Sequence, residues 1–132
     1  MQSRRLVVSL VLAVSPLVAS GCFLVAAGAG AAGAIAYTNR GATSVVAGTV
    51  DQVFNRAVVA FQQAGITETG RSTENSGKLR KLIGKKGEVE VTAELNWTTD
   101  STTKVEITAK ENAVEYDKEL AKDILNRILT MT

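Results

Sequence analysis

Glu88-Val89-Glu90-Val91-Thr92-Ala93-Glu94-Leu95-Asn96-Trp97 alternates apolar and polar residues without a break. Successive side chains of an extended chain point to opposite faces, so Val89, Val91, Ala93, Leu95 and Trp97 share one side. Glu88, Glu90, Thr92, Glu94 and Asn96 share the other. After Asp100-Ser101-Thr102-Thr103 the same period resumes, with Val105, Ile107 and Ala109 inward and Lys104, Glu106, Thr108 and Lys110 outward. The two segments predict an antiparallel hairpin with one dry and one wet face. A sheet of that kind is covered on its dry face alone.

The cover is written on both sides of the hairpin. Val50, Val53, Phe54, Ala57, Phe61 and Ala64 recur at helical spacing and Gly65 supplies a stop. Thr49-Val50-Asp51-Gln52 has the form of a capping box, in which Thr49 accepts from the Gln52 amide and the Gln52 side chain reaches back. Asp51 then sits in the first turn, near the positive end of the helix dipole. Towards the C-terminus, Leu120, Ile124, Ile128 and Met131 predict a last helix running to about Thr130, capped by Asn112 or a near neighbour. Asp123 and Arg127 are four apart on its outer face, in the favourable order.

The remaining strands read less clearly. Residues 44–48 form a short strand candidate, and residues 66–72 a threonine-rich one whose Gly70 suits an edge. Asn75-Ser76-Gly77 makes a turn into a strand over residues 78–83, which returns through Gly84-Lys85-Lys86-Gly87. With Gly87 left-handed after a Lys85-Lys86 turn, Ile83 falls opposite Val89 and Leu79 opposite Ala93. Lys78 and Arg80 then point outward beside Glu94 and Glu90, and Lys81 is the misfit on the apolar side. The expected fold is α+β: a two-layer sandwich with an antiparallel sheet of four to five strands, two helices on one face, and the order β-α-β-β-β-β-α.

Leu17-Val18-Ala19-Ser20-Gly21-Cys22 closes an apolar N-terminal run and carries the single cysteine of the 132 residues. Arg4 and Arg5 form a basic start, residues 6–18 an apolar core too short to span a bilayer, and Ala19, Ser20 and Gly21 a small-residue cleavage zone. The stretch reads as a lipobox, with Cys22 as the lipidated residue. Residues 1–21 are then a signal peptide, residues 22–42 a lipidated cysteine with a Gly/Ala-rich tether, and residues 43–132 one α+β domain. The alternative for residues 23–37 is a helix at the membrane, with the small residues Gly28 and Ala32, or Gly30 and Ala34, admitting another helix. The 15 lysines and arginines less Arg4 and Arg5 leave 13 against 13 acids, so the processed chain is neutral. An acylated Cys22 leaves no thiol for a disulfide, and the fold must rest on its core.

Taken together, the lipobox, the Gly/Ala-rich segment ending near Tyr37, Val53-Phe54 in an early helix, Ser76-Gly77-Lys78-Leu79, the two alternating strands and Ile124-Leu125-Asn126-Arg127-Ile128 are similar to a known pattern. The chain resembles a family of small bacterial lipoproteins catalogued only as a domain of unknown function. The resemblance implies an envelope location and a small α+β fold, and it brings no active site. A likeness to lipoprotein sorting signals implies the outer membrane, facing the periplasm, because Phe23 rather than aspartate follows Cys22.

No histidine occurs, which removes the usual neutral-pH base and the commonest metal ligand. No nucleophile with a base, carboxylate pair in a cleft or ligand cluster is visible, so no enzyme, metal or cofactor is expected. Glu88, Glu90 and Glu94 read as the wet face of a strand. Lys78, Arg80, Lys81, Lys85 and Lys86 stand within nine residues. They read either as a solvated, edge-protecting face or as a contact for anionic headgroups or envelope polymer, with Lys85 and Lys86 the candidates for that contact. Trp97 reads as a rim plug or as a contact to a ligand or partner. The expected function is a non-enzymatic binding or structural accessory, held to the membrane through Cys22, with an envelope protein or anionic polymer as partner and no nucleic acid. The other class is a carrier of an apolar ligand such as lipid between sheet and helices.

Overall fold

The structure, a computed structural model, describes residues 33–131. The signal peptide, the lipobox residues Ala19, Ser20 and Gly21, the lipidated Cys22 and most of the tether lie outside the described residues. The strands are β1 Ala36–Tyr37, β2 Gly41–Ala47, β3 Thr67–Glu74, β4 Leu79–Lys86, β5 Val89–Thr99 and β6 Thr102–Lys110, and the helices α1 Val50–Gln63 and α2 Lys118–Thr130. One antiparallel sheet runs in the order β1-β2-β6-β5-β4-β3. Helix α1 lies over β4 and β5, α2 over β2 and β6, and the helices touch each other above the sheet. The α+β class and the shared helical face agree with expectation, while the sheet has six strands rather than four or five.

The extra strand is β1, and with it the sheet begins before Thr43. Ala36 pairs with Thr43 and Tyr37 with Ala42, and the Tyr37 hydroxyl donates to Glu119 on α2 at 3.0 Å. A two-residue strand carries no periodicity of its own, so it could not be read from within an alanine and glycine run. Strand β2 starts at Gly41 rather than residue 44. A Cβ at Gly41 would run into the Ile107 carbonyl of the neighbouring strand, which is why glycine stands there.

Helix α1 forms as its spacing dictates. Thr49 accepts from the Gln52 amide, Gln52 reaches back to the Thr49 amide at 3.0 Å, and Val50, Val53, Phe54, Ala57, Ala60 and Phe61 are buried. At its end Gly65 adopts φ +74. The Ile66 and Gly65 amides donate to the Phe61 and Gln62 carbonyls, a closed Schellman turn that carries Ile66 back onto Phe61. Helix α2 starts later than expected, with Asp117 accepting from the Leu120 amide. Asn112 instead accepts from the Val114 and Glu115 amides, so it shapes the preceding loop and leaves the cap to Asp117.

The main correction concerns β4. The strand continues through Gly84 to Lys86, and the turn is the two-residue loop Gly87-Glu88, with Gly87 at φ +61. Glycine at the first central position suits a primed hairpin turn, whose twist matches the flanking strands. Leu82 therefore faces Ala93 and Arg80 faces Leu95, while Lys81 faces Glu94 and Lys85 faces Glu90. Because the side-chain period is two, the three-residue difference in register, an odd number, exchanges the faces of the whole strand. Lys81 is outward beside Glu94 at 3.7 Å, and Arg80 is inward.

Among the described residues no helix packs on the outer face of the sheet. Glu94 and Glu106 stand directly opposite one another on it, a like-charge pair that costs stability. Glu106→Lys is expected to stabilise the fold by about 0.5 kcal/mol. The gain should show as a higher urea midpoint at low salt and shrink as salt screens the pair.

Candidate functional site

The sheet has two ends, and the residues singled out in the sequence divide between them. Strand β4 descends from Leu79 to Lys86 while β5 ascends from Val89 to Thr99, so Lys85 and Lys86 lie at one end and Lys78 and Trp97 at the other. The five cations that are close in sequence are thus spread along a strand about 25 Å long. They do not form one patch.

At the Lys85 end, Lys85 faces Glu90 and Glu90 faces Lys110, a row of alternating charge across three strands. The row continues into a groove of about 310 Å³ lined by Lys85, Glu88, Glu90, Lys110, Glu111, Asn112 and Ala113. Its walls are charged and polar and offer little to an apolar ligand. Lys86 is exposed beside it, opposite Val89. Neither Lys85 nor Lys86 makes an ion pair among the described residues.

The other end combines cations with aromatic rings. Trp97 continues the inward phase of Leu95 but lies past the start of α1, and it is 43% exposed. The Lys78 ammonium stands 4.8 Å from the centre of its ring, and the Trp97 amide donates to the Lys78 carbonyl at 2.7 Å. Two residues beyond Lys78, on β4, the Arg80 guanidinium stands 3.6 Å from the centre of the Phe54 ring and donates to Asp51 at 2.9 Å. Arg71 approaches the same ring at 5.3 Å. The Phe54 ring is thus flanked by two guanidinium groups, a geometry that attracts cations to the ring face.

The acids that hold these guanidiniums are solvent-facing. Asp51 is 82% exposed at the helix start, and the Arg80 side chain is 19% exposed. Arg80 Nε is buried without a partner, because the side chain reaches Asp51 through its far nitrogen while its near one rests against the ring. The Arg71 guanidinium, hydrogen-bonded to Glu68, holds that carboxyl below its ordinary value. The pair therefore favours the fold at neutral pH and loses that contribution as pH falls through the lowered Glu68 value. Both groups lie at the surface, so the effect is small.

Sequence reasoning placed Trp97 at a strand end and Lys85 and Lys86 near a tip, which is where they stand. It missed the Arg80, Phe54 and Asp51 cluster because it had Arg80 on the outer face. The missed signal was Gly87-Glu88, a glycine-first pair suited to a two-residue hairpin turn. Among the described residues no group of three histidine, cysteine or acidic side chains is arranged to hold a metal. No described helix is long and apolar enough to cross a membrane.

Comparison with curated proteins finds no match to the chain. A family model spans nearly all of it, from residue 5 through the Gly/Ala-rich segment, both helices and the whole sheet to residue 130. On that match, the chain belongs to the family described as protein of unknown function (DUF3568).

Proposed function

We propose that the protein is a bacterial envelope lipoprotein, anchored through acylated Cys22, whose folded part is a non-enzymatic binding or structural accessory. The observation that carries this reading is the order Arg4-Arg5, apolar core, Ala19-Ser20-Gly21-Cys22 directly ahead of the α+β fold. Release at Cys22 would leave only residues 23–32 between the lipid and the first described residue, a short leash suited to a protein that works at the surface of its own membrane. The fold supports an accessory over a carrier. Phe54, Phe61, Leu82, Leu95, Ile124 and Ile128 fill the space between sheet and helices, and the groove at the Lys85 end is polar. An outer-membrane position, facing the periplasm, and an envelope protein or anionic polymer as partner belong to the same proposal.

The test is the mass of the processed N-terminus together with a Cys22→Ser variant. The native chain is expected to start at Cys22 carrying acyl chains and to sediment with membranes, and the variant to lose both properties. Two or more chains are needed for stable attachment, one being marginal. A variant cleaved at the same bond and still membrane-bound would refute the anchor.

A further inference from the structure

We propose that the corner formed by Trp97 and Lys78 is the surface on which the domain rests against the headgroup region of the bilayer that carries its anchor. The inference depends on the lipid-anchor reading above and adds an orientation to it. Three observations lead to it, the first being where the chain enters the fold. The Gly33 amide donates to the Val45 carbonyl at 3.2 Å. Val45 faces Lys104, Lys104 faces Asn96 and Asn96 faces Leu79, one row across the sheet. Trp97 is the next residue of β5, so the chain joins the domain at the Trp97 end.

The second observation is length. Residues 23–32 can span at most about 36 Å when fully extended, and about 15 Å if wound as a helix. From the Leu79 row to the Gly87 tip of the β4–β5 hairpin is about 26 Å along the strand. The Trp97 end is within reach of the anchor by every path, whereas Lys85 and Lys86 reach the membrane only if residues 23–32 are nearly straight and run back along the domain.

The third is chemistry. Trp97 holds the inward phase of the best-defined strand yet leaves 43% of its surface exposed. An amphipathic ring with an ammonium 4.8 Å from its centre matches the headgroup layer, where tryptophan is favoured and a lysine can meet lipid phosphate. Lys104 lies outward in the neighbouring row, Arg80 is engaged by Asp51, and Asp100 and Glu74 are exposed nearby. Charge at this corner is therefore close to balanced. The Trp97 ring makes the contact, and Lys78 orients it.

Trp97 is the single tryptophan of the chain, so its emission reports this corner alone. The full acylated chain is reconstituted in vesicles of phosphatidylethanolamine and phosphatidylglycerol, and flotation is measured first. Lipids spin-labelled near the headgroup are then expected to remove about half of the Trp97 emission, as for a ring at interfacial depth, and aqueous iodide to quench it less than in unanchored Cys22→Ser chain. Lys78→Glu should cut the lipid quenching about twofold, with Lys85→Glu/Lys86→Glu leaving it unchanged. A chain that floats while Trp97 answers only to iodide overturns the contact and leaves the anchor standing. The contact is likewise overturned if the Lys85/Lys86 variant abolishes lipid quenching and the Lys78 variant does not, since the domain would then lie the other way up. A chain that does not float overturns the anchor and the contact together.

Discussion

Phe61→Ala is expected to lower the stability of the domain by about 3–5 kcal/mol, the range for deleting a buried phenylalanine side chain. Phe61 is 1% exposed on α1, at the Schellman turn that brings Ile66 back beneath it. Alanine would lose the transfer energy of the ring and leave a void that the turn cannot close, because Gly65 and Ile66 are tied to the Phe61 and Gln62 carbonyls. Small domains hold about 5–15 kcal/mol in total, so a large share of the margin would go. Urea unfolding followed by far-ultraviolet circular dichroism would show it as a lower midpoint at unchanged slope. A loss under about 1 kcal/mol would mean that α1 is not seated on this ring.

Gly84→Val carries the second large effect and tests the strand frame directly. A Cβ at Gly84 would lie 2.6 Å from Ile66 Cγ2, 2.8 Å from the Thr67 carbonyl oxygen and 3.3 Å from the Phe61 ring. The carbonyl cannot move without breaking the β3–β4 pairing, so the cost is expected near the upper end of overpacking, about 3 kcal/mol. Amides of β3 and β4 should lose protection from hydrogen exchange ahead of those in β5 and β6. Gly70→Ala is the control, because nothing lies within 4 Å of a Cβ there. Its effect should stay within about 0.5 kcal/mol. Were Gly84 a turn residue with its side-chain position in solvent, the two substitutions would differ little.

The functional consequence of the strand frame is the division of charge. Gly87-Glu88 as the turn sends Lys81 to Glu94, Arg80 to Phe54 and Asp51, and Lys85 to the polar groove, leaving Lys78 with Trp97. A run of cations that reads as one basic hairpin becomes four separate environments. The candidate site thus depends on pairing, a property of two strands at once.

Sequence alone determined the parts whose signal is local. The capping box at Thr49 and Gln52, the apolar stripe of α1, the stripe of α2 in which Ile124 and Ile128 are buried and Leu120 is half-buried, and the alternation of β5 and β6 are each signals within one segment. Tertiary structure decided what depends on a partner. Strand β1 exists because Thr43 and Ala42 offer an edge and Glu119 receives the Tyr37 hydroxyl. The face shown by every β4 side chain followed from register against β5, where a slip of one residue exchanges inside for outside. Trp97 reads inward by period, yet it stays half in solvent because α1 begins too late to cover it. Periodicity states which way a residue points; only the position of the neighbouring element states what it meets.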